Sequence, residues 1–270
     1  MKVTASIALA MTAFASMFVA TPRVAAAQPS PVVLIVLENH RYPQIVGSAY
    51  APYLNGTFIP SGTLFTKYHA VTHPSLPNYI AMIAGSKLGC STDMCAPDSL
   101  GGDNLFTQLD TAGIGWNAWE ESMPANCAYL DDGDYAVRHN PPVFLKRVVA
   151  SGSCGLYDIP YPATLPALPP FTFITPSLCN DMHSCPVATG DAWLSNHVPD
   201  LLAAGATVII TFDEGTRFNN HVMTAAVGPD MVAGTKDATP YTHYGLLAGL
   251  EAHFGLPGLK KALTSTPVPV

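Results

Sequence analysis

The chain has 270 residues, 49% of them hydrophobic and only 11% charged. That combination excludes intrinsic disorder, which needs low hydrophobicity and high charge. Twelve Lys and Arg against 19 Asp and Glu give a formal charge of −7, the wrong sign for a nucleic-acid binder, and 25 Pro with 21 Gly interrupt the chain too often for a coiled coil or helical bundle.

Residues 1–27 read as an address. Lys2 supplies a short positive region, an apolar stretch runs from about Ala5 to Ala20, and Ala25-Ala26-Ala27 precede Gln28. This order of charge, apolar run and small residues predicts a secretory signal peptide. Its apolar stretch is shorter than a membrane span needs. Residues 28–270 are then expected to form a single domain, secreted or periplasmic, monomeric and without a transmembrane segment. The six cysteines (Cys90, Cys95, Cys127, Cys154, Cys179 and Cys185) all follow the signal. Their even number fits disulfides in an oxidising compartment. Proximity along the chain favours Cys90–Cys95, Cys127–Cys154 and Cys179–Cys185. No C-x-x-C pair supports a zinc cluster.

In chain order, Pro31–Leu37 (PVVLIVL) is a predicted buried strand, followed at once by Glu38-Asn39-His40. Thr63–Val71 is a second strand, followed by Thr72-His73-Pro74-Ser75 and a helix over Pro77–Ala84. Asn104–Ala112 is a helix ending at Gly113, and Ile114–Glu120 a third strand. Residues 120–170, rich in Pro, Gly, Asp and Tyr, read as an irregular insertion bearing the Cys127–Cys154 loop. Phe171–Thr175 is a fourth strand, with Asn180-Asp181-Met182-His183 shortly after. A helix spans Gly190–Ala204 with Asp191 as its N-cap. Thr207–Phe212 is a fifth strand, followed by Asp213-Glu214-Gly215, and Tyr244–Phe254 is a last helix. Continuous apolar runs suit strands buried on both faces of a mostly parallel sheet, and their alternation with helices predicts an α/β sandwich. The polar clusters follow strand ends, and in open α/β sheets ligands bind at that carboxyl edge.

Chemistry concentrates in three of these clusters. Ser75 precedes a helix, where free N–H groups and the dipole favour an anion such as phosphate. It is a candidate nucleophile or, more simply, a helix cap. Asn78 can donate to a phosphoryl oxygen. Carboxylates directly after buried strands are costly unless solvated, paired or metal-bound. Glu38, Asn39, Asp213 and Glu214 are therefore candidate ligands of a divalent metal ion, which would activate the Ser75 hydroxyl. His183 and His243 are candidate proton donors, and His73, Arg138 and His139 candidate phosphate contacts. Arg217 could contact phosphate or balance Asp213 and Glu214.

This set resembles the phosphoesterase family of the alkaline-phosphatase superfamily, and within it small secreted bacterial acid phosphatases that act on phosphatidylinositol 3-phosphate and other monoesters. The markers are Glu38-Asn39, His73-Pro74-Ser75 with Pro77-Asn78-Tyr79, Arg138-His139, Asn180-Asp181-Met182-His183, Gly190-Asp191-Ala192-Trp193-Leu194, Asp213-Glu214 and His243-Tyr244. The resemblance implies an alkaline-phosphatase-like sandwich and a phosphate monoester substrate, with a phosphoinositide among the options. It implies one metal held by Glu38, Asn39, Asp213 and Glu214, attack by Ser75, and hydrolysis of phospho-Ser75 by water. Asp181, His183 and His243 are the nearest candidates for a second metal, at a spacing that departs from the nucleotide pyrophosphatases. A phospholipase C-like diesterase and a non-catalytic binder of phosphate esters are the alternatives.

Overall fold

The computed structural model describes residues 1–3, 30–216 and 220–270. Most of the expected signal segment, and Arg217, lie outside the described residues. The remainder is built on one eight-stranded sheet in the order β4-β3-β5-β1-β6-β7-β2-β8. The strands are β1 (Val32–Leu37), β2 (Thr63–His69), β3 (Trp116–Glu120), β4 (Asp158–Pro160), β5 (Phe171–Thr175), β6 (Thr207–Phe212), β7 (Thr224–Val227) and β8 (Thr235–Thr242). Only β7 runs antiparallel to its neighbours β6 and β2; every other pairing is parallel.

The sheet order follows from burial. Strands β1, β5 and β6 are buried at every position and sit together at the centre. Their Val, Ile, Leu and Phe side chains are covered on both faces, as a parallel sheet requires. At one edge β8 (TKDATPYT) alternates between half-buried and exposed. Its Lys, Asp and Pro suit a border strand, where a missing ladder donor costs little. The segment expected as an irregular insertion also holds several short helices and contributes β4 at the opposite edge.

Four longer helices flank the sheet: α1 (Ser75–Ala84), α2 (Leu105–Ala112), α3 (Val187–Ala203) and α4 (His243–His253). Every residue of α1 is buried, and it packs against α2 and α4. It ends at Gly85 with φ +63°, where a Cβ would lie 2.3 Å from the Leu259 carbonyl oxygen; only glycine fits that left-handed turn. Helix α2 is capped as expected: the Asn104 side chain accepts from Thr107 N–H at 3.0 Å and Gly113 closes its C-terminus.

Helix α3 corrects one expectation. It begins at Val187, so Asp191 lies inside it rather than at its N-cap. The Asp191 carboxylate instead accepts the backbone N–H groups of Tyr53 (2.8 Å) and Leu54 (2.9 Å), capping a short helical segment 137 residues away in sequence. The preceding Gly190 is where α3 touches the turn that carries Asp181. A Cβ there would lie 2.6 Å from the Asn180 carbonyl oxygen and 2.5 Å from the Met182 side chain.

All six cysteines are paired, as Cys90–Cys95, Cys127–Cys154 and Cys179–Cys185. No helix among the described residues is long and apolar enough to cross a membrane.

Candidate active site

The topology brings the carboxyl ends of β1, β2, β3, β5 and β6 to one edge of the sheet, and the polar clusters meet there. Glu38 leaves β1 fully buried, its N–H bonded to the Asp181 carbonyl at 2.8 Å. That bond fixes the turn after β5 against the end of β1. Asn39 adopts a left-handed conformation, φ +54°, which Asn tolerates better than most residues. The turn carries its amide back onto Glu38 Oε2 (3.2 Å) and its N–H onto Asp213 Oδ1 (3.1 Å). Asp213 N–H in turn donates to the Leu37 carbonyl. The ends of β1, β5 and β6 are thus knit into one acidic floor.

Ser75 is the first residue of α1, two residues earlier than the sequence pattern places the helix start. Its hydroxyl donates to Glu38 Oε2 at 2.9 Å and also lowers the pKa of Asp213 by hydrogen bonding. One turn further on, the Tyr79 hydroxyl donates to Glu38 Oε1 at 2.6 Å. Tyr79 carries no role in the sequence reading, although its i+4 spacing from Ser75 puts both on one helix face. Its ring stacks on His139, centroids 5.4 Å apart.

His139 is fully buried between two carboxylates, with Nε2 3.3 Å from Glu38 Oε1 and Nδ1 3.2 Å from Asp181 Oδ2. It was expected as a phosphate contact; enclosed by these carboxylates, it belongs instead to the acidic floor. Arg138 and His183 lie above it toward solvent, Arg138 Nη2 3.5 Å from His183 Nε2. His183 is exposed, its ring centroid 5.8 Å from that of His139. His73 is also exposed and pairs through Nδ1 with Glu214 Oε2 at 2.5 Å.

Two sequence assignments are corrected. Asn78 was expected to donate to a phosphoryl oxygen, but its amide is saturated by the chain. Oδ1 accepts the N–H groups of Val71 (3.2 Å) and Thr72 (3.1 Å), and Nδ2 donates to the carbonyls of Thr72 (3.0 Å) and Pro74 (3.1 Å). Asn78 shapes the turn that presents Ser75. His243 was expected to transfer protons to substrate. It is instead fully buried, with Nε2 2.6 Å from the Asp213 carbonyl and Nδ1 3.0 Å from the Tyr68 hydroxyl. Burial pushes its pKa down to about 4. It props the loop after β6. Asn220, absent from the sequence reading, joins the same two loops: it donates to the Thr72 carbonyl at 2.7 Å and accepts from Gly215 N–H at 3.1 Å.

Burial, and then mutual repulsion, makes these carboxylates hard to ionise unaided. Glu38 stands well above the usual carboxylate range, first from burial, then from Asp213 and Asp181. Burial pushes Asp213 and Asp181 up to about 7. Glu214 reaches about 9, from burial, Asp213 and Asp93 in that order. Among the described residues, Asp213 Oδ2, Asp181 Oδ2 and both ring nitrogens of His139 are buried without a hydrogen bond. Orphaned anionic oxygens beside a carboxamide fit a hard divalent cation. Glu38, Asn39 and Asp213 meet beside Ser75, while Glu214 pairs with His73. Among the described residues, the group outside the disulfides whose ligand atoms lie within 4.8 Å of one another is Glu38, His139 and Asp181; Asp213 and Glu214, expected as ligands with Glu38, do not fall within that distance together. His183 and His243, expected beside Asp181 at a second metal, are not in this group.

A model described as the Phosphoesterase family matches residues 54–257. The chain belongs to the phosphoesterase family. A phosphatidylinositol-3-phosphatase of Mycobacterium tuberculosis is 32% identical over 271 residues, spanning 96% of this chain and 90% of its own. An acid phosphatase of Aspergillus fumigatus is 32% identical over 222 residues, spanning 73% of this chain and 49% of its own. The chain thus covers about half the length of that fungal relative. By this kinship the phosphoesterase is an enzyme, a phosphoric monoester hydrolase. Its fold is shared with a protein of the alkaline phosphatase superfamily from Vibrio parahaemolyticus, with a TM-score of 0.57 at 12% identity over 87% of this chain and 70% of that one. The murine ectonucleotide pyrophosphatase/phosphodiesterase 5 aligns with the same TM-score at 10% identity, over 85% of this chain and 96% of that one.

Proposed function

We propose that this phosphoesterase is a secreted or periplasmic, metal-dependent phosphomonoesterase that works through a phosphoserine. One observation carries the reading: the Ser75 hydroxyl stands at the N-terminus of a buried helix, 2.9 Å from Glu38, over a floor of three fully buried carboxylates. A serine that merely capped α1 would not need that floor.

Glu38, Asn39, Asp213 and Glu214 would hold the cation, with His139 and Asp181 completing the acidic floor. When bound, the cation lowers the pKa of the Ser75 hydroxyl and offsets negative charge on the phosphoryl group. The chain's own residues do the rest. Glu38 Oε2 already accepts the Ser75 proton. Tyr79 holds the other Glu38 oxygen still, so the hydroxyl keeps one orientation. Asn78 and Asn220 fix the turn that aims it. Arg138 and His183, side by side at the mouth, meet the phosphoryl oxygens from the solvent side. Ser75 passes its proton to Glu38 and attacks phosphorus, the ester bond breaks and its oxygen takes a proton from solvent at the open mouth to leave as an alcohol, and water then cleaves the Ser75–phosphorus bond, releasing phosphate and restoring Ser75. Such chemistry asks mainly for positioning and charge stabilisation. The activity for which the mycobacterial relative is named makes a phosphoinositide one substrate to try. Export is supported by the order of residues 1–27 and by the three disulfides.

The test is hydrolysis of p-nitrophenyl phosphate by metal-loaded protein, set beside bis-p-nitrophenyl phosphate. Ser75→Ala should lower turnover of the monoester by roughly a thousandfold or more while leaving circular dichroism unchanged. Faster cleavage of the diester would favour a phosphodiesterase. Phosphate binding without Ser75-dependent hydrolysis would make the chain a binding protein.

A further inference from the structure

Asp93 has no place in the sequence reading or in the mechanism above. It lies in the loop that the Cys90–Cys95 disulfide closes. Its Oδ1 accepts the N–H of Leu76 at 2.9 Å. Leu76 follows the nucleophile directly, and the next residue, Pro77, has no N–H. A free amide of the helix terminus beside Ser75, that of Leu76, is therefore already taken by a carboxylate of the chain itself. Asp93 also reaches the site through its charge. It is one of the groups that raise Glu214, after burial and Asp213, and it opposes the stronger effect of burial on His139. The titratable and charged groups that face it are Glu214, paired with His73, from the loop after β6, and His139, with Arg138, from the short helix Val137–His139.

We propose that Asp93 is a specificity-determining residue of the phosphate subsite, selecting the singly protonated ester over the dianion. The proposal rests on the phosphomonoesterase reading and deepens it. A phosphoryl oxygen carrying full charge must compete with Asp93 for one N–H and is repelled by it at close range. A protonated oxygen donates to the second Asp93 oxygen and turns the same contact into an attraction. The second ionisation of a phosphate ester falls near pH 6, at about the value of a phosphorylated side chain. Discrimination by Asp93 thus confines efficient turnover to the acid side of neutrality. The disulfide keeps the loop from withdrawing the carboxylate.

The test compares wild type with Asp93→Asn, which keeps the shape and an oxygen for Leu76 N–H but removes the charge. kcat/KM for p-nitrophenyl phosphate is followed from pH 4 to 8, and binding of inorganic phosphate is measured by calorimetry at pH 5 and pH 8. The alkaline limb of the variant should move up by about one pH unit, and phosphate should bind it about tenfold more tightly than wild type at pH 8. A double variant, Cys90→Ser with Cys95→Ser, should shift the same way by less. A variant-to-wild-type ratio that is constant across pH overturns the proposal, and so does a folded Asp93→Asn protein inactive at every pH. Should the variant not fold, wild type binding phosphate more tightly at pH 8 than at pH 5 overturns it alone. Loss of the phosphatase reading would show separately, as hydrolysis that does not depend on Ser75.

Discussion

Two buried acidic clusters lie a few strands apart in this sheet, and they solve the same electrostatic problem differently. One is the floor of Glu38, Asp181 and Asp213 under Ser75. The other joins Glu120, the last residue of β3, to Asp158, the first of β4. Both carry carboxyl groups with almost no solvent contact. In the second cluster both Asp158 oxygens accept from Asn140 Nδ2, at 3.1 and 3.0 Å, and Thr175 Oγ1 lies 3.4 Å from Glu120 Oε1. Neither carboxyl there contributes an orphaned oxygen. Burial holds Asp158 up at about 7 and Glu120 well above its ordinary value, with Asp158 adding to the latter. A proton neutralises that pair. The first cluster has orphaned oxygens, an imidazole and a serine, the donor set that the proposed cation would use. Buried acids alone do not mark a site; unsatisfied acids beside a candidate nucleophile point to one. The second cluster has its own use, because Thr175 Oγ1 donates to the His139 carbonyl at 3.1 Å and Asn140 follows His139. It underpins the segment that brings His139 to the floor.

The same substitution in each cluster sharpens the contrast. Asp213→Asn should cause the largest effect: loss of bound metal by elemental analysis and a fall in kcat/KM of roughly a thousandfold or more. Retention of both would erase the distinction between the clusters. Asp158→Asn should keep metal and keep activity within several-fold, and act on stability instead. In wild type Asp158 stays protonated up to about pH 7 when folded, but only to about pH 4 when unfolded. The folded state therefore holds the extra proton between those values, and stability falls as pH rises through that window. The variant, neutral throughout, should lose this fall. Its melting temperature relative to wild type should climb by roughly several degrees from pH 4 to 7, read by calorimetry. An unchanged slope would mean that Asp158 is ionised in the folded protein. The smallest effect is expected at the rim. His183→Ala should raise KM for p-nitrophenyl phosphate several-fold with little change in kcat, since the ring is exposed and under the proposed function would meet substrate from the solvent side. A fall in kcat as large as that of Asp213→Asn would move His183 into the proton-transfer chemistry.

Continuous apolar runs announced β1, β5 and β6 to within a residue, because a strand buried on both faces must be apolar throughout. The polar residues that stop those runs announced where a crevice would form. Strands β7 (TAAV) and β8 (TKDATPYT) carried no such signal: the first is short and small, and the second is a border strand whose composition answers to solvent on one side. The three disulfides were favoured by proximity along the chain, where short loops leave few competing geometries. Residue types therefore determined the sheet's centre, its functional edge and the inventory of chemical groups. Tertiary structure decided what each group does. Asn78 looks like a phosphate ligand and His243 like a proton donor until groups brought from elsewhere occupy them, and His139 looks like a phosphate contact until Glu38 and Asp181 enclose it. Asp93 has no chemical signature in its own stretch and meets Leu76 only because a bridged loop folds back on α1. Hydrogen-bonding and ionic roles belong to pairs, and here the partners lie tens to more than a hundred residues apart, beyond any spacing rule that a single stretch of sequence can express.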